Sequence, residues 1–349
     1  MSLRTMLSLF PRYAALAASL AAVVGTAAAQ TPQYRVQQTW HVSGDGWWDY
    51  MTVEPAAHRL YIARGNRVQV VDTRTGKLIT EMGGLQGTHG IALDQNGKSG
   101  YISDGGAGVV RVFDRATLKE TASIPAGKNP DAILFDPATA RVFAFNGRSQ
   151  SATVIDTGSN KVLKTIPLPG KPEFAQDDSG TVYVNIEDKN EIVRIDGYHL
   201  NVTATWPIAP CDSPSGLTID RVNHRLFSVC DNKLMTVLDA QTGKVVATVP
   251  IGSGPDATRY DPKTHLVFSP NGRDGTLTVV QQLSKDSYKP VQTLTTQRGA
   301  RTMALDRKTG EIYLVTVGFG SPPPATAANP HPRPSMLPNS FVVLLVGNK

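Results

Sequence analysis

The segment NPDAILFDPATARVFAFNG, residues 129–147, decides the fold. An apolar strand runs from Asp131 to Asp136, a turn follows, and a second apolar strand contains the aromatic Phe143. The same pattern, a polar residue with an acidic residue five positions later, recurs at intervals of 40 to 45 residues. Its seven copies begin at Asp49, His89, Asp131, Glu173, Ser215, Asp256 and Arg301.

The copies continue into further strands, three in each of the first six copies and two in the last. The second strand carries an aromatic residue in register, at Tyr61, Tyr101, Phe143, Tyr183, Phe227, Phe268 and Tyr313. The third strand ends in aspartate in five copies, at Asp72, Asp114, Asp156, Asp196 and Asp239. A turn and a fourth strand then lead into the next copy. Four strands in about 42 residues are typical of a propeller blade. Seven copies therefore predict an all-β, seven-bladed β-propeller.

The last copy contains only three strands, in residues 301–316 and 341–346. The segment YRVQQTWHV, residues 34–42, precedes the first copy and has the pattern of a strand. We predict that this N-terminal strand completes the last blade. Such a closure would leave no exposed edge in the ring, whereas an open sheet would have two.

The repeats also resemble a known family. THGIALDQNGKSGYISD (88–104), residues 129–147 and GPDATRYDPKTHLVFSPNG (254–272) are similar to the YVTN-type repeat of the YncE-like β-propeller proteins. The resemblance covers nearly the whole chain after residue 29 and implies the propeller fold. Similar propellers include haem-d1-binding, quinoprotein-associated and lactonase-type proteins, so the resemblance implies no single chemistry.

Composition and the first residues narrow the class of protein. Residues 1–29 have Arg4 and Arg12, an apolar stretch and a small-residue cleavage site, which predicts a signal peptide followed by one domain over residues 30–349. That domain carries 33 basic and 29 acidic residues without a basic run, which argues against nucleic-acid binding. It contains no apolar stretch long enough for a membrane span. We expect a periplasmic or secreted monomer.

A binding site is predicted where the blades meet the central axis. In a propeller, the starts of the inner strands and the ends of the second strands lie on one face of the ring. Structural positions of a repeat should be alike, yet these positions vary chemically and are mostly polar, as expected of a binding site. The predicted ligand-binding residues are Trp47, Asp49, His89, Asp131, Asn146, Asn185, Asp256 and Arg301.

Four carboxylates of this face, Asp49, Asp131, Glu173 and Asp256, are predicted metal ligands. Two such charges about 8 Å apart repel by roughly 2 kcal/mol at an effective dielectric of about 20. Arg301 and His89 can offset part of this repulsion, and a divalent cation (Ca²⁺, Mg²⁺, Mn²⁺ or Zn²⁺) can offset the rest. The alternative is a structural rim of polar side chains that cap loops and bind water.

The lactonase-type propellers hold such a metal with Glu, Asn and Asp. Glu173, Asn146, Asn185 and Asp256 resemble that set in residue type. Two functions from different classes therefore remain open. The first is a module that binds a small polar ligand, a divalent cation or a partner protein. The second is a metal-dependent lactonase or lyase, with His89, Glu173 and Asp131 as the candidate catalytic residues.

Three further features accompany the predicted site. Trp47 and Trp48 stand next to Asp49, where one forms a rim for a ligand or packs between blades. Residues 317–340 form a Pro-rich insertion, which predicts a lid from which His331 or Arg333 could reach the pocket. Cys211 and Cys230 flank two paired strands of the fifth copy, which favours a disulfide in an oxidising compartment over a thiolate metal or redox pair.

Overall fold

The computed structural model describes residues 33–42, 44–324, 326, 332 and 334–348. Their strands form seven four-stranded antiparallel sheets. The predicted signal peptide lies outside the described residues. The first strand, β1 (Tyr34–His41), belongs to the last blade. Blades 1 to 3 follow in chain order. Their strands are β2 (Met51–Glu54), β3 (Arg59–Arg64), β4 (Arg67–Asp72) and β5 (Leu78–Met82); β6 (Thr88–Leu93), β7 (Ser99–Asp104), β8 (Val109–Asp114) and β9 (Glu120–Pro125); and β10 (Pro130–Asp136), β11 (Arg141–Asn146), β12 (Ser151–Asp156) and β13 (Lys161–Pro167).

Blades 4 to 6 repeat this order from the inner to the outer strand. Their strands are β14 (Pro172–Asp178), β15 (Thr181–Ile186), β16 (Glu191–Asp196) and β17 (Asn201–Pro207); β18 (Pro214–Asp220), β19 (Arg225–Cys230), β20 (Leu234–Asp239) and β21 (Val245–Pro250); and β22 (Arg259–Asp261), β23 (Leu266–Asn271), β24 (Thr276–Ser284) and β25 (Ser287–Thr295). A 3-10 turn, Glu187–Lys189, lies between β15 and β16.

Blade 7 confirms the predicted closure. It contains β26 (Met303–Leu305), β27 (Ile312–Thr316) and β28 (Val342–Asn348), and its outer strand is β1, which pairs antiparallel with β28. Strands from the two ends of the described chain thus share one sheet. The all-β seven-bladed propeller predicted from the repeat is therefore the observed fold.

The repeat pattern places its residues as the blades require. The aromatic residues of the second strands are all buried, and together with branched aliphatic side chains they fill the spaces between neighbouring blades. The aspartates that end the third strands accept hydrogen bonds from the turns that follow, as Asp114 does from the Thr117 amide and hydroxyl. Burial fixes the strands, and the turn aspartates fix where each strand ends.

The inner strands contain an irregularity that aims the site residues. In blades 2 to 5 one extra residue interrupts the pairing of the inner strand with its neighbour, at residues 88–91, 130–133, 172–175 and 214–217. His89, Asp131 and Glu173 lie within these bulges. A β-bulge leaves a residue unpaired and redirects its side chain. In blades 1, 6 and 7 the regular inner strand begins later, after Asp49, Asp256 and Arg301.

The predicted disulfide is confirmed. Cys211 and Cys230 are bonded across blade 5, with their Cα atoms 5.5 Å apart, so the described residues contain no free thiol. The bond encloses about 20 residues, for which the chain-entropy model gives about 3 kcal/mol of stabilisation. A thiolate metal or redox pair is excluded while this bond is intact.

We predict that the closing strand contributes strongly to stability through Trp40. Its side chain is buried in the core that blade 7 shares with blade 1, with its ring centroid 5.8 Å from that of Tyr313. Trp40→Ala should lower the free energy of unfolding by about 3–5 kcal/mol, as expected for removing a large aromatic group from a core. Thr39→Ala changes the exposed neighbour on β1 and should cost less than about 0.5 kcal/mol. Urea unfolding of both variants checks this, and equal stabilities would contradict a role for β1 in holding the ring.

Candidate functional site

Three of the predicted residues form a compact group at one mouth of the axial channel. Asp49, His89 and Asp131 come from three consecutive blades, and one ligand atom from each lies within 4.8 Å of the others. His89 Nδ1 lies 2.7 Å from Asp49 Oδ2 and 3.5 Å from Asp131 Oδ1. These side chains form a group that could hold a metal ion, and we call them the triad.

The surroundings of the triad position His89. The Trp47 ring lies against the imidazole, with 5.1 Å between ring centroids, and 39% of Trp47 is exposed at the rim. On another side lies Gly105, where an added Cβ would come within 2.9 Å of His89 Cδ2. Glycine therefore leaves the space that the ring occupies. The sequence predicted Trp47 at the rim, and the structure places it there.

Glu173 faces the same channel but has its own partners. Its Oε1 accepts a hydrogen bond of 3.2 Å from the Tyr50 hydroxyl. Its Oε2 lies 3.2 Å from Lys171 Nζ, an ion-pair distance without the angle of a hydrogen bond. Lys171 also contacts Glu187. One lysine therefore offsets two carboxylates beside the triad.

Asp256 is paired with the arginine that the sequence placed on the same face. Arg301 Nε donates a hydrogen bond of 2.8 Å to Asp256 Oδ2, and its Nη2 donates to the Trp48 carbonyl oxygen at 3.0 Å. Its guanidinium lies 5.3 Å from the centre of the Trp48 ring. Trp48 is 3% exposed and packs with Phe319 and Phe341, so it is a packing residue between blades.

The two predicted asparagines lie inside the blades with their amides in use. Asn146 Oδ1 accepts from the Gly127 amide, and its Nδ2 donates to Ser151 and Thr153. Asn185 Nδ2 donates to the Ser215 carbonyl, and its Oδ1 accepts from Ser228. These bonds tie Asn146 to the third strand of its own blade and to the loop before that blade, and they tie Asn185 to blade 5. A role of Asn146 or Asn185 in ligand binding stays a prediction.

Tyr50 and Phe174 lie in the channel beneath the acidic groups, and sequence reasoning missed both. Their rings are 4.8 Å apart and meet edge to face. A signal was available, because five of the seven copies have Gly, Ala or Thr one residue after the start of the repeat. At this position of the repeat only two copies have a large aromatic ring, and the small residues of the other five leave room for these rings at the axis. Lys171 and Glu187 carried no comparable signal.

Burial and like charge raise the pKa values of several groups at this mouth. Burial raises the pKa of Asp131 to about 7, with Asp49 and Asp256 adding to the shift and His89 opposing it. Burial raises the pKa of Asp256 to about 6, although Arg301 opposes the shift. The pKa of Glu173 lies well above its usual range because of burial and the charges of Asp131 and Asp256. Burial alone would lower the pKa of His89, but Asp49 and Asp131 outweigh it and raise the value.

The ends of the Pro-rich insertion lie beside the loop that carries Trp47. Phe319 pairs with Met336, and the Asn339 amide donates to Asp45 Oδ1 at 2.8 Å. A cavity of about 210 Å³ lies between Gly44–Gly46 and Met336–Pro338 and is lined by none of the predicted site residues. His331 and Arg333, the predicted lid residues, lie outside the described residues. The insertion as a lid stays a prediction.

Seven four-stranded blades, the last closed by the N-terminal strand, define the chain as a seven-bladed β-propeller. Solved propellers match it across most of its length. Hydrazine synthase of Kuenenia stuttgartiensis matches with a TM-score of 0.69 and 18% identity, covering 78% of this chain and 94% of that chain. The structure of U3-55K matches with a TM-score of 0.74 and 10% identity, covering 90% and 99%. These likenesses establish the fold.

The comparisons by sequence identify no relative. Neither a family model nor a curated protein matches the chain. Among the described residues, no helix has the length and apolar character needed to cross a membrane. The disulfide is typical of proteins that fold in an oxidising compartment.

We predict that the metal-free protein loses stability as the pH rises from about 4 to about 7. Asp131 and Asp256 have higher pKa values in the folded protein than in the unfolded chain, so the folded protein binds more protons in this range. The raised pKa of His89 acts in the same direction, because its contribution is lost as the pH rises through that value. Asp131→Asn should flatten the decline, as measured by chemical unfolding of chelator-treated protein across this range.

The control is Glu120→Gln, which removes an exposed carboxylate on the outer strand β9. It should leave the slope of stability against pH unchanged, because an exposed ion pair contributes little. A slope that is the same in the parent and in Asp131→Asn would show that the buried carboxylate does not govern this dependence.

Proposed function

We propose that the protein is an exported binding module of the YncE-like type whose acidic mouth holds a divalent cation and, through it, a small polar ligand. The observation that carries the proposal is the triad, in which Asp49, His89 and Asp131 bring their ligand atoms within 4.8 Å. The signal-like residues 1–29 and the disulfide support a periplasmic or secreted location.

The charge balance at the mouth favours a cation. Lys171 forms an ion pair with Glu173, and Arg301 forms one with Asp256. Asp49 and Asp131, in contrast, have only the imidazole of His89 between them. Asp131 resists ionisation because of burial and the nearby negative charge of Asp49. A divalent cation between the two carboxylates would remove that penalty, since opposite charge stabilises the ionised form.

The donor atoms indicate which cations fit best. One imidazole nitrogen and two carboxylates suit Zn²⁺ or Mn²⁺ better than Ca²⁺ or Mg²⁺, which prefer all-oxygen sites. Three protein ligands leave coordination positions open. Trp47, Glu173, Asp256 and Arg301 surround these positions with aromatic, acidic and basic groups suited to a polar ligand. In this proposal Glu173 and Asp256 lie beside the cation and do not coordinate it. The alternative is that both carboxylates coordinate the cation together with Asp49 and Asp131, as the sequence predicted.

We predict that Zn²⁺ or Mn²⁺ raises the melting temperature of chelator-treated protein. A ligand at a hundredfold excess over its dissociation constant contributes about 2.7 kcal/mol of stability. Asp131→Asn and His89→Gln should each weaken binding strongly, because each removes one of three ligands. Asp256→Asn should weaken it less, because it removes only a nearby charge. Calorimetric titration of the four proteins with each metal measures these differences.

The outcome separates the site hypotheses. Equal losses in Asp131→Asn and Asp256→Asn would favour the four-carboxylate set, including Glu173, over the triad. If none of Ca²⁺, Mg²⁺, Mn²⁺ and Zn²⁺ binds, the remaining interpretations of the acidic mouth are a structural rim of polar side chains and a site for a partner protein. In that case Asp131→Asn should be destabilising where His89 is protonated, because it removes a carboxylate that faces the imidazole.

The second candidate function is a metal-dependent lactonase or lyase. The observation that favours it is Glu173, a buried carboxyl whose pKa is raised well above its usual range and which the Tyr50 hydroxyl contacts. A carboxyl whose pKa is raised by burial and nearby negative charge can act as a general acid. A cation held by the triad would supply Lewis acidity toward a carbonyl of the substrate. Water would add to the carbonyl carbon, the ring C–O bond would break, and Glu173 would protonate the released oxygen and regain a proton from the added water.

The enzyme hypothesis predicts metal-dependent turnover of a lactone. Metal-loaded protein should open the ring of at least one lactone in a panel, and Glu173→Gln should lower kcat by about 10²–10⁴-fold, the usual contribution of a general acid. Metal affinity should survive that substitution, since Glu173 is not a triad ligand. If the metal-loaded protein hydrolyses every lactone in the panel no faster than buffer does, the enzyme hypothesis is wrong and only the binding function remains.

A further inference from the structure

The channel has a second mouth, where the inner strands end, and its character is opposite to the first. Three consecutive blades contribute an arginine there. Arg221 and Arg307 occupy the same position of the repeat, directly after Asp220 and Asp306, and Arg259 begins the short inner strand β22 of the blade between them, two residues before that strand ends. We call these three residues the basic mouth.

Arg259 lies deepest in the channel. Its guanidinium lies over the face of Phe174, 4.9 Å from the ring centre, on the inner strand of blade 4. One nitrogen, Nη1, donates to the carbonyl oxygen of Thr258 at 2.8 Å. Stacking on the aromatic ring holds the planar guanidinium in a fixed orientation. Its remaining N–H groups are therefore held ready for an acceptor.

Only one of these arginines has a carboxylate partner within the described part of the chain. Arg221 Nη2 donates to Asp177 Oδ1 at 3.1 Å and to the Asp177 carbonyl oxygen. No described carboxylate lies within 4.0 Å of Arg259 or Arg307. By contrast, the buried Arg225 forms ion pairs with two aspartates, Asp239 and Asp286.

The other acidic groups nearby are already engaged. Asp261 accepts hydrogen bonds from the Lys263 amide and the Thr264 hydroxyl of its own turn. Asp136 accepts likewise from the Thr139 hydroxyl. These bonds tie the carboxylates to their turns, so they do not reach the arginines.

The arginines of the basic mouth act on one another through their like charges. Burial and the charge of Arg307 lower the pKa of Arg259 to about 10. Burial and the charge of Arg221 lower the pKa of Arg307, although Asp261 and Asp177 oppose this. Arg307 therefore lies close enough to both Arg259 and Arg221 for like charges to repel. An anion between them would relieve the repulsion.

We propose that the basic mouth binds a small oxyanion, a phosphate or carboxylate group, held by Arg259 and Arg307 and bordered by Arg221. The forked guanidinium matches the two oxygens of such a group and can bind both at once. This site is separate from the acidic mouth, because Tyr50 and Phe174 lie in the channel between them. It does not depend on the cation or on the proposed function.

The test measures anion binding to the full-length protein by thermal melting and calorimetric titration. Inorganic phosphate and acetate are the two probes, each added at constant ionic strength with chloride as the balancing anion. We expect at least one of them to raise the melting temperature. A preference for phosphate would indicate a phosphorylated ligand, and a preference for acetate a carboxylic acid.

Matched variants locate the binding. Arg259→Gln should weaken the affinity about tenfold or more, and Arg307→Gln, on an exposed turn, should weaken it to a smaller degree. Arg148→Gln removes an exposed arginine near the opposite mouth and should leave binding unchanged. Because Arg259 has no ion pair to lose, its variant should melt in chloride at or above the temperature of the parent. Binding by neither anion, or equal losses in Arg148→Gln and Arg259→Gln, would overturn the proposal.

Discussion

The pairing of β1 with β28 is the contact on which the ring depends. Six blades are continuous in sequence, and the seventh is complete only when the N-terminal strand joins it. β1 also reaches back to blade 6, where Gln292 exchanges two hydrogen bonds with the Tyr34 backbone and the Tyr34 ring meets Phe268 edge to face. Closure sets the diameter of the ring and hence the distance between side chains at its axis.

That diameter explains the electrostatics of the acidic mouth. Seven inner strands bring one side chain each to a small area, and four of these side chains are carboxylates. The protein compensates them unequally. Lys171 and Arg301 accompany Glu173 and Asp256, while Asp49 and Asp131 are left with His89 between them. A scaffold that needed only a stable rim would gain nothing from this residual negative charge, whereas a cation site requires it.

The channel is polar at both ends and aromatic in between. Tyr50 and Phe174 separate a mouth rich in carboxylates from a mouth rich in arginines. Phe174 contributes to both sides, since its neighbour Glu173 faces the acidic groups and its own ring lies beneath Arg259. Two successive positions of the repeat therefore face chemically opposite surroundings, because successive residues of a strand point in different directions.

Sequence alone determined the architecture. The repeat of apolar strands, aromatic residues and turn aspartates fixed seven blades, because each blade must bury both faces against neighbours and so carries the same pattern. It also predicted the closing strand and the disulfide, and it named Asp49, His89 and Asp131 among the residues on one face. The sequence left two positions open for Trp48, at the rim of the site or between blades. The side chain is buried, so it packs between blades.

Only the tertiary structure decided which of those residues meet. The spacing of the repeat gives the face of the ring but not the direction of each side chain, which the bulges of the inner strands set. The pairing of Asp256 with Arg301 depends on a distance between two blades that no local pattern encodes. The contact of Lys171 with Glu173 and the amide bonds of Asn146 depend on side-chain directions that the spacing of the repeat does not give. The positive charge at the second mouth likewise arises from arginines about 40 residues apart, which the closed ring brings together.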